Sequence, residues 1–219
     1  VIDENNQDYY PFVNPCGKDL IPPITDDNYD GLWHAANFTI TLTATDVWSG
    51  VGATYYKINN GSTKTLSIDG QPYITTEGAD NSLEYWSVDN VGSEEHPHKI
   101  LQGIKADNTA PSGSIIINNG NAYVSSSSVV LTLTAVDAAS GVFKVRYSND
   151  GVWDTEQWQD PSATIIWGLI VGDGLKTVYF QIKDKVELVS ETYSDTIVLD
   201  SIEPIVETPS RKPASEVQP

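Results

Sequence analysis

The stretch ITLTATDVWSGV, residues 40–51, returns as LTLTAVDAASGV, residues 131–142, at an offset of 131 − 40 = 91. In the first copy Phe38, Ile40, Leu42 and Ala44 alternate with Thr39, Thr41, Thr43 and Thr45, and in the second Val129, Leu131, Leu133 and Ala135 fall on the inner face. Period-two alternation marks a β-strand with one face buried, and threonine suits the pleated, solvated side. Self-similarity at a fixed spacing marks a duplicated structural unit.

Working outward, LEYWSVDN (residues 83–90) aligns with VYFQIKDK (residues 178–185) at an offset of 95, which sets Leu83 and Tyr85 opposite Val178 and Phe180, while Tyr56 matches Tyr147. A third echo falls where the units join: DLIPP begins at Asp19, DNTAP at Asp107 and DSIEP at Asp200, spaced by 107 − 19 = 88 and 200 − 107 = 93 residues. Each interval is the size of one small sandwich domain. The expected boundaries are an extended arm at 1–19, units at 20–106 and 107–203, and a Pro-rich polar linker or tail at 204–219. Turn dipeptides are dense, with Asn-Gly at 60 and 119, Asp-Gly at 30, 69, 150 and 173, and Ser-Gly at 49 and 140. No capped stretch of helical periodicity interrupts them.

Composition narrows the function. Of 219 residues 30 are acidic and 12 basic, a net charge of −18. Such a chain repels phosphate backbones and attracts cations, so nucleic acid is excluded as a partner. No apolar run approaches the roughly 20 residues of a membrane span. The lone Cys16 can form neither an internal disulfide nor a cysteine-based zinc site. Methionine is absent even at position 1, which reads as a mature or excised piece of a longer protein.

Residues 28–61, NYDGLWHAANFTITLTATDVWSGVGATYYKINNG, and residues 83–98, LEYWSVDNVGSEEHPH, resemble bacterial and archaeal immunoglobulin-like surface domains. Residues 128–151 and 176–184 resemble a sister type of the same group. The resemblance implies an all-β fold of two tandem immunoglobulin-like β-sandwich domains with extended N- and C-terminal segments, in an extracellular or cell-surface setting. The opening VIDENNQDYYPFVNP resembles the closing segment of right-handed parallel β-helix proteins of the periplasmic copper-binding and carbohydrate-processing type, which makes residues 1–19 an arm or the end of an upstream domain. One departure concerns the turn after the sixth strand: the first unit reads DNVGSEE, whereas the second reads DKVELVS and lacks the glycine.

In an immunoglobulin-like sandwich the chain enters at the end where the loops after the second and sixth strands lie. Asp19, Asp46 and Asp89 should therefore meet in the first unit, and Asp107, Asp137 and Asp184 in the second. Hard carboxylate oxygens drawn from separate loops are what a calcium ion takes. The competing account is that an aspartate heading a turn satisfies nearby backbone N–H groups by itself.

Trp33, Tyr55 and Trp86 are candidate platforms for sugar rings, with Tyr55 and Trp86 expected outward on neighbouring strands; packing against the sheet is the plainer role. Asn37 and Asn60 head glycosylation sequons. No GxSxG, HExxH or phosphate-loop motif is present, and the adjacent Glu94 and Glu95 would face opposite sides of a strand. His96 and His98 could share a face and hold a metal weakly, although Pro97 between them suits a blunted edge. The sequence thus predicts a non-catalytic extracellular structural or adhesive module, a stiff spacer without a cofactor unless calcium binds. Its expected partners are neighbouring domains, copies of itself or cell-surface glycans. Two other readings stay open: a filament-forming subunit that donates a strand, and a carbohydrate-binding accessory module.

Overall fold

The structure, a computed structural model, describes residues 17–35 and 37–202. The chain is all-β, built as two sandwiches. In the first, strands β1 (Ile24–Asp27), β2 (Trp33–Ala35), β3 (Phe38–Thr39), β4 (Leu42–Thr45), β5 (Val51–Ile58), β6 (Lys64–Thr65), β7 (Tyr73–Ile74), β8 (Gly78–Asp89) and β9 (Lys99–Asp107) form a five-stranded sheet, β2-β9-β8-β5-β6, and the pairs β1-β4 and β3-β7. In the second, β10 (Ser112–Ile117), β12 (Ser128–Val136) and β14 (Thr164–Gly168) form one sheet. The other runs in the order β11 (Tyr123–Val124), β16 (Tyr193–Leu199), β15 (Gly174–Asp184) and β13 (Val142–Ser148). Both sandwiches carry a short strand added in parallel to the last long one, β2 on β9 and β11 on β16.

The alternation read from the sequence fixes which face is inside. Ile40 and Leu42 are buried while Thr39, Thr41, Thr43 and Thr45 are exposed, and Val129, Leu131 and Leu133 are buried in the same pattern. Tyr56, Leu83, Tyr85, Ile104 and Ala106 complete the first core with Ile40, Leu42 and Ile74. The equivalent Tyr147, Val178 and Phe180 are buried in the second, where the Tyr147 and Phe180 rings stack at 5.4 Å. Truncating one of these buried leucines or isoleucines to alanine removes about 2–5 kcal/mol, and Phe180→Ala about 3–5 kcal/mol. Burial without a partner for its hydroxyl pushes the Tyr147 phenol up to about 12.

Besides a 3₁₀ turn at Asn118–Gly120, one α-helical turn, α1 (Leu66–Asp69), departs from the all-strand expectation. It closes locally, because Asp69 Oδ2 accepts the Thr65 N–H at 2.8 Å, and it needs no amphipathic pattern to form. By compactness the described residues fall into two units. One holds the residues through Ser112 together with Ala135–Val145 and Ile182–Glu191; the other holds Gly113–Thr134, Arg146–Gln181 and the residues from Thr192 onward. The turns that carry Asp137 and Asp184 thus belong with Asp107 in the first unit. Residues 1–16, with Cys16 and the β-helix-like segment, and residues 203–219 lie outside the described residues.

Candidate functional site

The six aspartates gather as the repeat requires. Asp19, Asp46 and Asp89 each bring a carboxylate oxygen within 4.8 Å of one from each of the other two, and Asp107, Asp137 and Asp184 do the same. Asp19 precedes β1, Asp46 follows β4 and Asp89 ends β8; Asp107 ends β9, Asp137 follows β12 and Asp184 ends β15.

Each position plays the same part in both clusters. The entering aspartate bridges two segments: Asp19 Oδ1 accepts the Ile21 N–H and its Oδ2 the Ser49 N–H, both at 2.9 Å, while Asp107 Oδ1 accepts from Thr109 at 3.1 Å and Oδ2 from Ser140 at 3.0 Å. The second aspartate folds its own loop, since Asp46 Oδ1 accepts from Trp48 at 3.2 Å and Gly50 at 2.6 Å, and Asp137 Oδ1 accepts from Gly141 at 2.5 Å. The third closes the turn after the long strand. Asp89 Oδ1 takes the Val91 and Ser93 N–H groups at 2.9 and 2.7 Å, and Asp184 Oδ1 those of Val186 and Leu188 at 2.9 Å each. The turn-capping account from the sequence is therefore right about Oδ1. It leaves Oδ2 of Asp46, Asp89 and Asp184 unexplained.

Asp46 Oδ2, Asp89 Oδ2 and Asp184 Oδ2 are buried and make no hydrogen bond; the same holds for the equivalent hydroxyls Ser49 Oγ and Ser140 Oγ, at 140 − 49 = 91. Asp89 is 4% exposed and Asp184 fully buried. Burial raises the carboxyl of Asp184 against the pull of two backbone N–H groups, and the charges of Asp107 and Asp137 push it the same way, so it stands above the usual carboxylate range. Burial also works against the Asp89 carboxylate, but the Ser93 N–H, the Ser49 hydroxyl, the Val91 N–H and the Ser93 hydroxyl together outweigh it and hold the group below that range. The Ser49 hydroxyl does so without reaching hydrogen-bond geometry to Oδ2.

A close approach explains one residue of this site. Gly52 sits at a bulge in β5, and a Cβ there would lie 2.7 Å from the Asp89 carbonyl oxygen, so only glycine lets the β5 backbone draw this near to the end of β8.

The aromatic candidates behave differently. Tyr55 and Trp86 are directly paired across β5 and β8 as expected, with ring centroids 5.7 Å apart. Trp86 is not an open platform: it is 8% exposed because the His98 ring stacks on it at 4.1 Å and 1°, and Lys57 lies over it at 5.2 Å. Trp33 and Tyr55 are half-buried. Asn37 and Asn60 are exposed, one at the start of β3 and one in the turn after β5.

Glu94, His96 and His98 form a third group of clustered ligand atoms, and His96 and His98 do share a side, with rings stacked at 5.1 Å. Its atoms satisfy one another. His98 Nδ1 meets Glu84 at 2.7 Å, its Nε2 meets Glu94 at 2.9 Å, and His96 Nε2 meets Glu94 at 3.1 Å.

Two features escaped the sequence reading. An apolar groove of about 770 Å³, lined by Pro22, Pro23, Tyr85, Pro97 and Leu101, runs beside the buried Glu95, which accepts from Thr25 and Ser87. The Arg146 guanidinium of β13 reaches Trp153 and Trp158 of the following loop, 4.4 and 4.5 Å from their centroids, and donates to Gln181. Trp153 and Trp158 follow Arg146 by 7 and 12 residues in an irregular loop with no periodic pattern to mark the contact, so it shows only in the fold.

No protein-family model matches the chain, and no curated protein matches it. Among solved structures it is similar to fibronectin(III)-like modules of CbhA from Clostridium thermocellum (15% identity, 80% of this chain and 94% of that one, TM-score 0.41). It is also similar to a structure of a 1.5-MDa bacterial ice-binding adhesin (13%, 83% and 65%, TM-score 0.45) and to the D00-D0 domain of intimin (10%, 81% and 100%, TM-score 0.38). Among the described residues no helix is long and apolar enough to cross a membrane.

Proposed function

We propose that the chain is a non-catalytic structural or adhesive module of an extracellular protein, a stiff spacer placed at the cell surface. The observation that carries this reading is the repeated latch at Asp19 and Asp107: each entering carboxylate holds its own segment with one oxygen and a loop of the sandwich with the other. A chain segment tied in this way loses the freedom that a flexible linker keeps, because several short hydrogen bonds to a charged acceptor must break together. The sheets supply long antiparallel ladders that resist extension, as β5-β8 and β15-β16 illustrate.

In this reading the partners are neighbouring domains or copies of the chain. Single-molecule pulling of the full chain between handles tests it. The expected trace has discrete, cooperative unfolding events separated by stiff intervals. Smooth extension at low force would overturn the spacer role, and ordered fibres of the purified chain in electron micrographs would favour strand-donating assembly instead.

A further inference from the structure

We propose that the two aspartate clusters are calcium sites of one design, used twice. Clustered carboxylates alone would not assign an ion, since turn aspartates often serve only the backbone. The decisive feature is what remains after the backbone is served. In each cluster Oδ1 of the strand-ending aspartate accepts two N–H groups, and Oδ2 is left buried without a partner beside two further carboxylates. A desolvated carboxylate oxygen with no donor is strongly disfavoured, and nearby like charges make it worse. The same deficit appears at Asp89 and at Asp184, 184 − 89 = 95 residues on, together with an unpartnered serine hydroxyl at Ser49 and at Ser140.

A single shared cation supplies the missing partner of the buried carboxylate oxygens in each cluster. Three carboxylates are all-oxygen ligands, which suits a hard ion with a flexible shell of about six to eight oxygens, the rest supplied by water and neighbouring oxygens, and does not suit zinc or copper. Asp46 and Asp137 are half-buried, the least enclosed member of each cluster. The Glu94-His96-His98 group, by contrast, has no such deficit, because its ligand atoms pair with one another. The inference deepens the spacer reading by making the latch dependent on calcium, and it stands on separate evidence: pulling tests stiffness, and ion counting tests the sites.

The test is equilibrium dialysis of the full chain, stripped with chelator and returned to about 5 mM calcium chloride, above the dissociation constants common in extracellular modules. Bound calcium per chain is expected to fall by one in Asp46→Asn, by one in Asp137→Asn and by two in the double variant. These substitutions keep an oxygen to accept the Gly50 and Gly141 N–H groups, and far-ultraviolet circular dichroism confirms folding. Absence of bound calcium in the unaltered chain, or an unchanged count in both folded variants, would overturn the proposal. Should either variant unfold, the unaltered chain decides: at least two ions that exchange for magnesium only in excess support the sites, and fewer than two refute the pair.

Discussion

His98 shows how a single side chain acquires its properties from three directions. Its ring lies flat on Trp86, and its two nitrogens face Glu84 and Glu94. Burial lowers its pKa, but the hydrogen bonds and charges of the two glutamates prevail and hold it above the ordinary imidazole value. A histidine bound more tightly to its proton in the folded chain contributes stability that is complete below the unfolded value of about 6.5 and fades as pH rises through the higher folded value. The stability difference between the unaltered chain and His98→Asn should therefore be larger at about pH 6 than at about pH 8.5, measured by urea unfolding. An equal difference at both pH values would contradict the assignment. The sequence placed Trp86 correctly beside Tyr55 but not its cover, because no periodicity tells a strand residue that a histidine twelve positions on will stack over it.

At the scale of an element, the turn after β8 and its counterpart after β15 are the best case of two sequences reaching one shape. Asp89 N–H donates to the Ser93 carbonyl and Asp184 N–H to that of Leu188, and isolated bridges join Val88 to Glu94 and Lys183 to Val189. The missing glycine of DKVELVS changes nothing in the geometry, since Glu187 takes up φ +73° where Gly92 has +91°. A non-glycine residue there costs about 1–2 kcal/mol, relieved in part by the Lys183–Glu187 ion pair at 2.9 Å. Gly92→Ala should accordingly lower stability by about 1 kcal/mol, whereas Glu187→Gly should be neutral within about 0.5 kcal/mol despite losing the ion pair. Denaturant midpoints of the two variants check this directly. Strands, faces and turns were legible here because alternation and the Asp-headed turns are local signals. The α1 turn and the Arg146 stack were not, because each depends on a contact that the spacing of residue types does not encode.

For the whole molecule, duplication is the organising fact. Two sandwiches share their core positions, their parallel added strands and their carboxylate latches. The convergence of six aspartates followed from aligning the repeats and knowing where loops gather in such a sandwich. What the alignment could not supply was the state of each oxygen, which depends on burial and on the exact placing of backbone N–H groups. The net charge of −18 gives the same picture its electrostatic side: folding brings like charges together at two places, a cost that the proposed calcium ions would offset.

Thermal unfolding of the full chain in calcium and in excess EDTA tests this account most directly. At calcium about ten times above the dissociation constant, linkage adds about 1.4 kcal/mol per site, which is worth roughly 5–10 °C in melting temperature for a sandwich of this size. The account predicts that rise in the unaltered chain and its loss in the Asp46→Asn, Asp137→Asn double variant. Identical melting curves in calcium and EDTA would contradict it.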